Sequence, residues 1–347
     1  MTLKRALKPY FALIVFAAVF LLLPLVARAS YLIHMLVMTM LFAYLASAWN
    51  IIGGFVGQFS LGNGVYIGIG GYIAACLFKF NNVSPWFGIL IAGVITGLLA
   101  MIVNYPCFRL RGTYYSLSTV AILYVVKIFM TNNNEVLGYK TGGSMGLRLS
   151  YIGGFKNMQF VSKVPYYYIM LAMLIIIIGV SIFIKNSKSG FYYSAISTNQ
   201  EAARALGVNA TAYKMKAQFL SAFFTAVGGG FYVVYIMYLD PTRVLGYSMS
   251  IQILLYAIVG GSGTIWGPVL GGLILYPASE GLRTLIGTSA AGLATALYGL
   301  LLMLVIYFMP QGVMPFCVEK FKALRRKKSG EAPVSQESAE EGGGKNA

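Results

Sequence analysis

The side chains that could act on a partner molecule begin in a polar segment, residues 185–216, between two long apolar runs. Thr198 and Glu201 have the spacing of a capping box. In that motif the hydroxyl accepts a hydrogen bond from the Glu201 amide, and the carboxylate reaches back to the Thr198 amide. The residues that follow favour helix, and Gly207 stands where a C′ glycine would end one. The sequence therefore predicts a short helix made of Glu201, Ala202, Ala203 and Arg204 that ends before Gly207.

A helix of about two turns is too short to be stable alone in water. It needs a surface to pack on, and two interpretations are open. The helix is either an interfacial connector between two membrane spans or a docking element for a soluble partner.

A second segment, residues 53–72, contains eight glycines in twenty residues. Glycine is costly in a helix interior unless close packing requires it. Small residues allow two helix backbones to approach closely in a membrane. The segment is therefore interpreted either as tight packing between spans or as a broken helix that lines a path for a polar solute. The hydrogen-bonding side chains of that path would be Gln58, Ser60 and Asn63.

Two further glycine-rich blocks contain polar residues or proline. The first is interpreted as a turn cluster, or as a polar backbone surface in a path for a solute. It comprises Thr141, Gly142, Gly143 and Ser144. The second predicts a turn followed by the start of a helix, because proline is tolerated where its missing donor would be unpaired. It comprises Gly260, Gly261, Gly263, Gly267 and Pro268.

The residue types that enzymes use are scarce. His34 is the only histidine and lies in an apolar run, so neither a Ser-His-Asp arrangement nor a multi-histidine metal site is expected. The sequence contains no GxxxxGK[ST] pattern, so the chain has no P-loop for ATP. The sequence predicts neither an enzyme nor a bound cofactor.

Charged residues within the apolar runs are also few. Asp240 and Glu280 are the main acidic ones, and they lie too far apart in sequence to form a local carboxylate motif. Glu280 and Arg283 are i,i+3 neighbours on a predicted helix and are expected to pair. Proton-coupled carriers commonly use ionisable residues inside the membrane, so this scarcity argues against such a carrier.

Membrane helices must position all of these segments. Of the 347 residues, 58% are hydrophobic and 10% are charged, whereas a soluble domain has roughly 45–50% and 25%. The predicted fold is all-α: a polytopic integral membrane protein with about ten transmembrane helices of roughly 20 apolar residues each. The predicted spans are residues 10–27, 31–52, 60–78, 86–107, 112–130, 164–184, 216–239, 248–260, 266–285 and 289–309.

The distribution of basic residues predicts the orientation. An even number of spans places both termini on one side, and basic residues are about twice as frequent there as on the other side. The positive-inside rule therefore predicts cytoplasmic termini. The first span is expected to be retained rather than cleaved, because its apolar run, residues 11–27, is longer than a signal-peptide core and contains Pro24. The net charge of +17 is assigned to cytoplasmic loops and not to nucleic-acid binding.

The chain is divided into a transmembrane domain, residues 1–317, and a cytoplasmic tail, residues 318–347. From about Ser329 the tail is nearly free of large apolar residues, which predicts disorder. The basic run 325–328 is expected to anchor the last span at anionic membrane lipid. Residues 51–54 and 258–261 have the similar sequences Ile-Ile-Gly-Gly and Ile-Val-Gly-Gly, which suggests a weak internal parallel repeat.

Several of these segments resemble the permease family of branched-chain amino acid ABC transporters. Glu201-Ala202-Ala203, followed by Gly207, resembles the EAA loop of importer permeases in general. The resemblance covers residues 48–313, with Gly71 where the family usually has alanine. The stretches that match family motifs are residues 54–72, 109–119, 141–147, 199–209, 213–224, 259–271 and 298–312, with Val313 where the last of these has leucine in the family.

The resemblance implies an importer subunit in the bacterial inner membrane that works in an assembly. Its implied partners are a second homologous permease, two cytoplasmic ABC ATPases and a periplasmic substrate-binding protein. Residues 201–207 would then be the coupling helix that contacts one ATPase. Permeases similar to this family also carry urea, short amides and other small solutes, so the substrate stays open. A self-sufficient channel or secondary carrier and a structural membrane protein are the alternatives from other classes.

Overall fold

The computed structural model describes residues 3–26, 29–110, 112–287, 291–309, 312–316 and 320. Three predictions therefore lie outside the described residues. They are the disordered tail (apart from residue 320), the domain boundary after residue 317 and the lipid anchor at 325–328.

Helices make up most of the described chain, because a backbone in lipid must satisfy its own hydrogen bonds. Each predicted span corresponds to one helix, and among the described residues the short helices α7, α8 and α10 lie between the spans. The prediction of an all-α, multi-pass membrane protein is confirmed. The helices are α1 (Leu3–Val26), α2 (Ser30–Asn50), α3 (Gly64–Asn81), α4 (Pro85–Cys107), α5 (Thr113–Asn132), α6 (Val164–Asn186), α7 (Lys188–Thr198), α8 (Gln200–Ala205), α9 (Ala210–Ile236), α10 (Pro241–Val244), α11 (Tyr247–Gly261), α12 (Gly267–Ile286) and α13 (Ala291–Phe308).

The helices differ in how well they suit a membrane. In the described part of the chain, six are long and apolar enough to cross one: α2 with the turn that extends it, α3, α4, α5, α6 and α9. α12 has 20 residues but carries the charged residues Glu280 and Arg283, which make it less apolar. Shorter apolar stretches occur in α1, α11 and α13, at Leu13–Pro24, Tyr247–Gly261 and Thr295–Phe308.

Three helix starts differ from the predicted spans by four residues or more. α1 begins at Leu3 instead of residue 10. α2 continues as a π-helical turn, Ile51–Phe55, after which residues 56–63 are not helical and α3 begins at Gly64 instead of residue 60. α9 begins at Ala210, earlier than predicted, because the Asn209 side chain accepts from the Ala212 amide and caps the helix.

Two small antiparallel strand pairs lie at one end of the bundle, which the sequence did not predict. β1 (Glu135–Val136) pairs with β2 (Tyr139–Lys140), and β3 (Leu147–Arg148) pairs with β4 (Tyr238–Leu239). The β3–β4 pair attaches the long connection between α5 and α6 to the chain that leaves α9. We call this end of the bundle the β end, and the opposite end, with α7 and α8, the α8 end.

α9 is the central helix and packs on α2, α3 and α4. Glycines bring α3 close to it: a Cβ added at Gly70 would lie 2.5 Å from the Ala226 Cα, and one added at Gly229 would collide with the Ile67 carbonyl. Such close approach of small residues is a main source of helix association in lipid. Large apolar side chains such as Phe87 are exposed, as expected for a surface that meets acyl chains.

Candidate functional site

The predicted capping box is wrong, because the cap of α8 is Asn199 and not Thr198. α7 continues through Thr198, whose hydroxyl donates to the Ser194 carbonyl at 3.0 Å. Asn199 is the first residue with the extended backbone that a cap requires (φ −153°, ψ 106°). Its Oδ1 accepts from the amides of Glu201 at 3.0 Å and Ala202 at 3.1 Å.

Gly207 ends α8 as predicted. Its φ of +84° lies in the left-handed region, which favours glycine. The Gly207 amide donates to the Arg204 carbonyl at 2.9 Å, and the Val208 amide donates to the Ala203 carbonyl at 3.0 Å. Together these two bonds form a Schellman motif. A helix of six residues therefore has a defined start and a defined end.

The inner face of α8 is held by neighbouring helices. Ala203 is 3% exposed, and the buried Lys214 of α9 donates from Nζ to Gln200 Oε1. The same ammonium lies 5.9 Å from the centroid of the Phe108 ring, just beyond α4. These contacts provide the packing surface that a two-turn helix needs.

Tyrosine rings join α7 to α9. The Tyr213 ring centroid lies 4.7 Å from that of Tyr192 and 6.2 Å from that of Tyr193. Burial, with the nearby Tyr213 phenol as a smaller cause, raises the pKa of Tyr193 to about 12. The phenol is therefore neutral at physiological pH. α7, α8 and the start of α9 thus form one packed unit at the α8 end.

The outer face of α8 is open. Glu201, Arg204 and Leu206 are exposed, and we call these three residues the α8 surface. Leu206 is 85% exposed, and Phe191 on α7 is 69% exposed. An apolar centre with charged neighbours is the usual composition of a protein–protein interface.

Replacing Asn199 by alanine should loosen α8, because loss of a helix cap costs about 1 kcal/mol. We expect faster hydrogen exchange at the Glu201 and Ala202 amides in Asn199→Ala. Asn199→Asp keeps the accepting oxygen and should retain near wild-type protection. Equal protection in the alanine variant and the wild type would contradict the assigned cap.

α7 also contacts the glycine-rich segment between α2 and α3. Gly57 has a φ of +73°, and a Cβ at this position would lie 2.8 Å from Ser197 Oγ. A cavity of 340 Å³ lies between α7, the Ile51–Phe55 turn and Gly263. If α7 and α8 moved, α7 would therefore displace the non-helical segment between α2 and α3, because the two are in direct contact.

Asn50 joins the two glycine-rich turns at the α8 end. Its Nδ2 donates to the Thr264 carbonyl at 2.8 Å, and its Oδ1 accepts from the Gly263 amide at 2.9 Å. A Cβ at Gly54 would lie 2.5 Å from the Gly263 nitrogen, so the turns touch.

Asn50 was not among the predicted site residues. The available signal was an amide side chain at the end of an apolar span, where it needs hydrogen-bond partners. The internal repeat that these turns suggested stays a prediction.

The glycine–proline block packs α11 against α12. Pro268 lies in the first turn of α12, as predicted. A Cβ at Gly260 would collide with the Gly267 carbonyl, and one at Gly267 would collide with the Gly261 carbonyl. Gly261 and Gly263 have φ values of +122° and +74°. Close approach and left-handed backbone are the physical reasons for glycine at these positions.

The non-helical segment 56–63 is supported by side chains from α2 and α5. Irregular backbone within a membrane is tolerated where protein groups or a polar cavity satisfy it. The supporting hydrogen bonds run from Trp49 Nε1 to the Ser60 carbonyl (2.8 Å), from Ser116 Oγ to the Phe59 carbonyl (2.6 Å) and from the Leu61 amide to Thr119 Oγ1 (3.0 Å).

Polar groups remain unpaired next to this segment. Asn63 and Gln218 are fully buried. Among the described residues, Asn63 Oδ1 and Gln218 Nε2 have no hydrogen-bond partner. The Asn63 Nδ2 makes only a long hydrogen bond, 3.4 Å, to Thr225 Oγ1. Buried polar groups are normally paired, so this part of the core has spare hydrogen-bonding capacity.

The structure separates the residues of the predicted path. Gln58 lines a cavity of 260 Å³ at the α8 end, beside Gln200 and Glu201. Ser60 and Asn63 are buried in the core. The block from Thr141 to Ser144 lies at the β end, in the connection between α5 and α6. A path that uses all of these residues stays a prediction.

The block from Thr141 to Ser144 forms a turn cluster in the structure. The Thr141 hydroxyl donates to the Asn133 carbonyl at 3.1 Å. Gly142 and Gly143 have φ values of +82° and +50°. Gly142 also lines a cavity of 630 Å³ whose charged walls are Lys79, Glu135, Lys140 and Arg148. The β end thus carries a predominantly basic depression.

The described residues contain no group of three or more His, Cys, Asp or Glu side chains arranged to hold a metal ion. The candidate site that the structure describes consists of a capped surface helix, a polar break in the core and the contacts between them.

Comparison with known proteins places the chain in a transport family. Residues 31–309 match the family described as branched-chain amino acid transport system, permease component. High-affinity branched-chain amino acid transport system permease proteins LivM are similar to the chain. The protein of Salmonella typhimurium is 26% identical over 90% of this chain and 75% of its own. That of Escherichia coli is 25% identical over 82% and 70%.

An archaeal protein is similar as well. The probable branched-chain amino acid transport permease protein LivH of Methanocaldococcus jannaschii is 25% identical over 76% of this chain and 84% of its own. No solved structure matches the chain.

Proposed function

The chain belongs to the family of permease components of branched-chain amino acid transport systems, and we propose that it is a membrane-spanning subunit of an ABC importer for these amino acids. The observation that carries the proposal is α8. It is capped by Asn199, ended by Gly207 and packed through Ala203, and it presents the α8 surface outward. A rigid helix of this kind is suited to transmit force from a soluble partner.

In the proposed complex the α8 surface rests in a groove of one ATPase subunit. Leu206 would be buried there, with Glu201 and Arg204 at the rim, where charged residues are common. ATP would be bound and hydrolysed by that partner, because this chain has no P-loop. This chain would supply the path for the solute, and α8 would transmit the movement of the ATPase to the membrane helices.

The contacts at the α8 end suggest how movement spreads. α7 and α8 form one unit with the start of α9, and Ser197 contacts Gly57 next to the polar break. Asn50 connects that break to the turn before α12. ATP-driven motion of α8 would therefore act on α2, α3, α9 and α12 together, which is what switching between two access states requires.

The proposal also assigns partners and orientation. The α8 end, with its basic loops, would face the cytoplasm of a bacterium, with both termini on that side of the inner membrane. The β end would receive a periplasmic substrate-binding protein at its basic depression. A second, homologous permease and a second ATPase would complete the assembly.

Reconstitution tests this function. We expect no leucine uptake into proteoliposomes that contain the purified chain alone. We expect ATP-dependent uptake once the second permease, the ATPase pair and the binding protein are added, and none when a non-hydrolysable ATP analogue replaces ATP.

The other outcomes identify the alternatives. Uptake by the chain alone without ATP would contradict the importer and favour a channel or secondary carrier. ATP-dependent uptake of urea or a short amide instead of leucine would support the importer function and contradict the proposed substrate.

A further inference from the structure

A polar cavity of 170 Å³ lies between α2, α9, α11 and α12 near the β end. Three charged side chains line it, Arg243, Glu280 and Arg283, although it extends inward as far as Phe42 in the middle of α2. Arg243 and Arg283 are exposed and Glu280 is half-buried, so the charged part of the cavity is accessible from outside the chain.

The charges in the cavity are only partly satisfied by one another. The nearest approach of Arg283 to Glu280 is 3.9 Å, which is longer than a hydrogen bond. Within the part of the chain that the structure describes, the Arg243 guanidinium has no hydrogen-bond or ion-pair partner. The cavity therefore offers one carboxylate and one guanidinium that a ligand of mixed charge could pair with.

The start of α11 adds to the attraction for an anion. This helix of 15 residues begins at Tyr247, and the preceding Gly246 provides no side-chain cap. Ser248 and Met249, in its first turn, line the cavity beside Arg243. Free amides and the helix dipole make a helix N-terminus favourable for a carboxylate, and an arginine can bind the same group through two hydrogen bonds.

Aromatic rings and methionine side chains line the cavity wall around Phe42, and Tyr232, Gln252 and Ser279 add polar groups to the lining. The Phe42 ring stacks on Tyr276, with centroids 4.8 Å apart, and meets Tyr256 edge-on at 5.8 Å. Met38 and Met249 are 6% and 7% exposed and complete this wall. The volume of 170 Å³ is below the roughly 300–1,000 Å³ of pockets for drug-sized ligands, so the cavity suits a small solute.

We propose that this cavity binds an α-amino acid with an apolar side chain on its way through the importer. Arg243 and the N-terminus of α11 hold the α-carboxylate, Glu280 holds the ammonium group, and the side chain lies against Phe42 and Tyr276. The proposal rests on the import function proposed above and adds to it the place in this chain where the zwitterion is recognised.

Three charge-neutralising variants of the complete importer test the site. Arg243→Gln and Glu280→Gln should each lower leucine uptake about tenfold or more, the loss expected when a charged hydrogen-bond partner is removed. Co-purification of the ATPase and ATP hydrolysis stimulated by the binding protein should stay within about twofold of wild type. Arg283→Gln is the matched control, because it removes the same charge from the same cavity at a side chain to which the proposal assigns no contact with the ligand.

A protection assay tests recognition directly. Ser248→Cys places a thiol at the cavity wall, and a water-soluble thiol reagent should modify it more slowly in the presence of leucine. 4-Methyl-2-oxopentanoate lacks the ammonium group and 3-methylbutan-1-amine lacks the carboxylate, so each should protect less than leucine. If Arg243→Gln fails to assemble, this assay on Ser248→Cys alone still decides the matter.

The failures of the two proposals are distinguishable. A wild-type assembly that takes up no leucine would contradict the import function itself. Wild-type uptake that is unchanged in Arg243→Gln would overturn the site and leave the function standing. Equal losses in Arg243→Gln and Arg283→Gln, or equal protection by leucine and its oxo acid, would also overturn the zwitterion site.

Discussion

The substitution Leu206→Asp should release the ATPase from this chain and leave the helical bundle intact. Leu206 follows α8 and is 85% exposed, so the fold loses little when it is replaced. In the proposed complex the new carboxylate would be desolvated without a partner, which is costly. Central interface positions of this kind cost about 2 kcal/mol or more, or roughly thirtyfold in affinity.

The control for this variant is Leu137→Asp. Leu137 is 92% exposed at the β end, in the turn between β1 and β2, and its φ of +53° is one that aspartate tolerates. Co-purification of the ATPase with each variant, together with size-exclusion chromatography of the chain, separates docking from folding. An ATPase that binds the Leu206→Asp chain as it binds the wild type would refute the assignment of α8 as the coupling helix.

The second large effect concerns stability. Gly271→Leu should unfold or severely destabilise the chain, whereas Gly281→Leu on the same helix should be tolerated. A Cβ at Gly271 would collide with the Tyr256 carbonyl and lie 3.1 Å from the Gly260 Cα, so α11 and α12 would have to move apart. Overpacking costs about 1–3 kcal/mol, and more when backbone atoms block the way.

Gly281 provides the opposite case. A Cβ at that position has no neighbour within 4 Å, and leucine is a better helix former than glycine by about 1 kcal/mol. Thermal unfolding in detergent, followed by the monodisperse fraction on size exclusion, compares the two variants. Equal midpoints for Gly271→Leu and Gly281→Leu would contradict close packing as the reason for glycine at position 271.

Features that depend on neighbours in the sequence were predicted well. The spans follow from runs of apolar residues, because a helix in lipid needs little more than length and composition. Gly207 as the end of α8 follows from a conformation that glycine adopts most easily. The prediction of Thr198 as the cap was wrong. The cap is the first residue after the end of α7, and α7 ends where it does because its tyrosines pack on Tyr213, which is distant in sequence.

The sequence by itself determined that this chain is an all-α, multi-pass membrane protein of the permease family with a short helix that ends at Gly207 between two spans. Only the tertiary structure decided which distant residues meet. Asn50 contacts Gly263, and Arg243 shares a cavity with Glu280, because glycine contacts fix how closely and in what register the helices pack. Local patterns report helix length and ends, but the register between two helices depends on all their contacts at once.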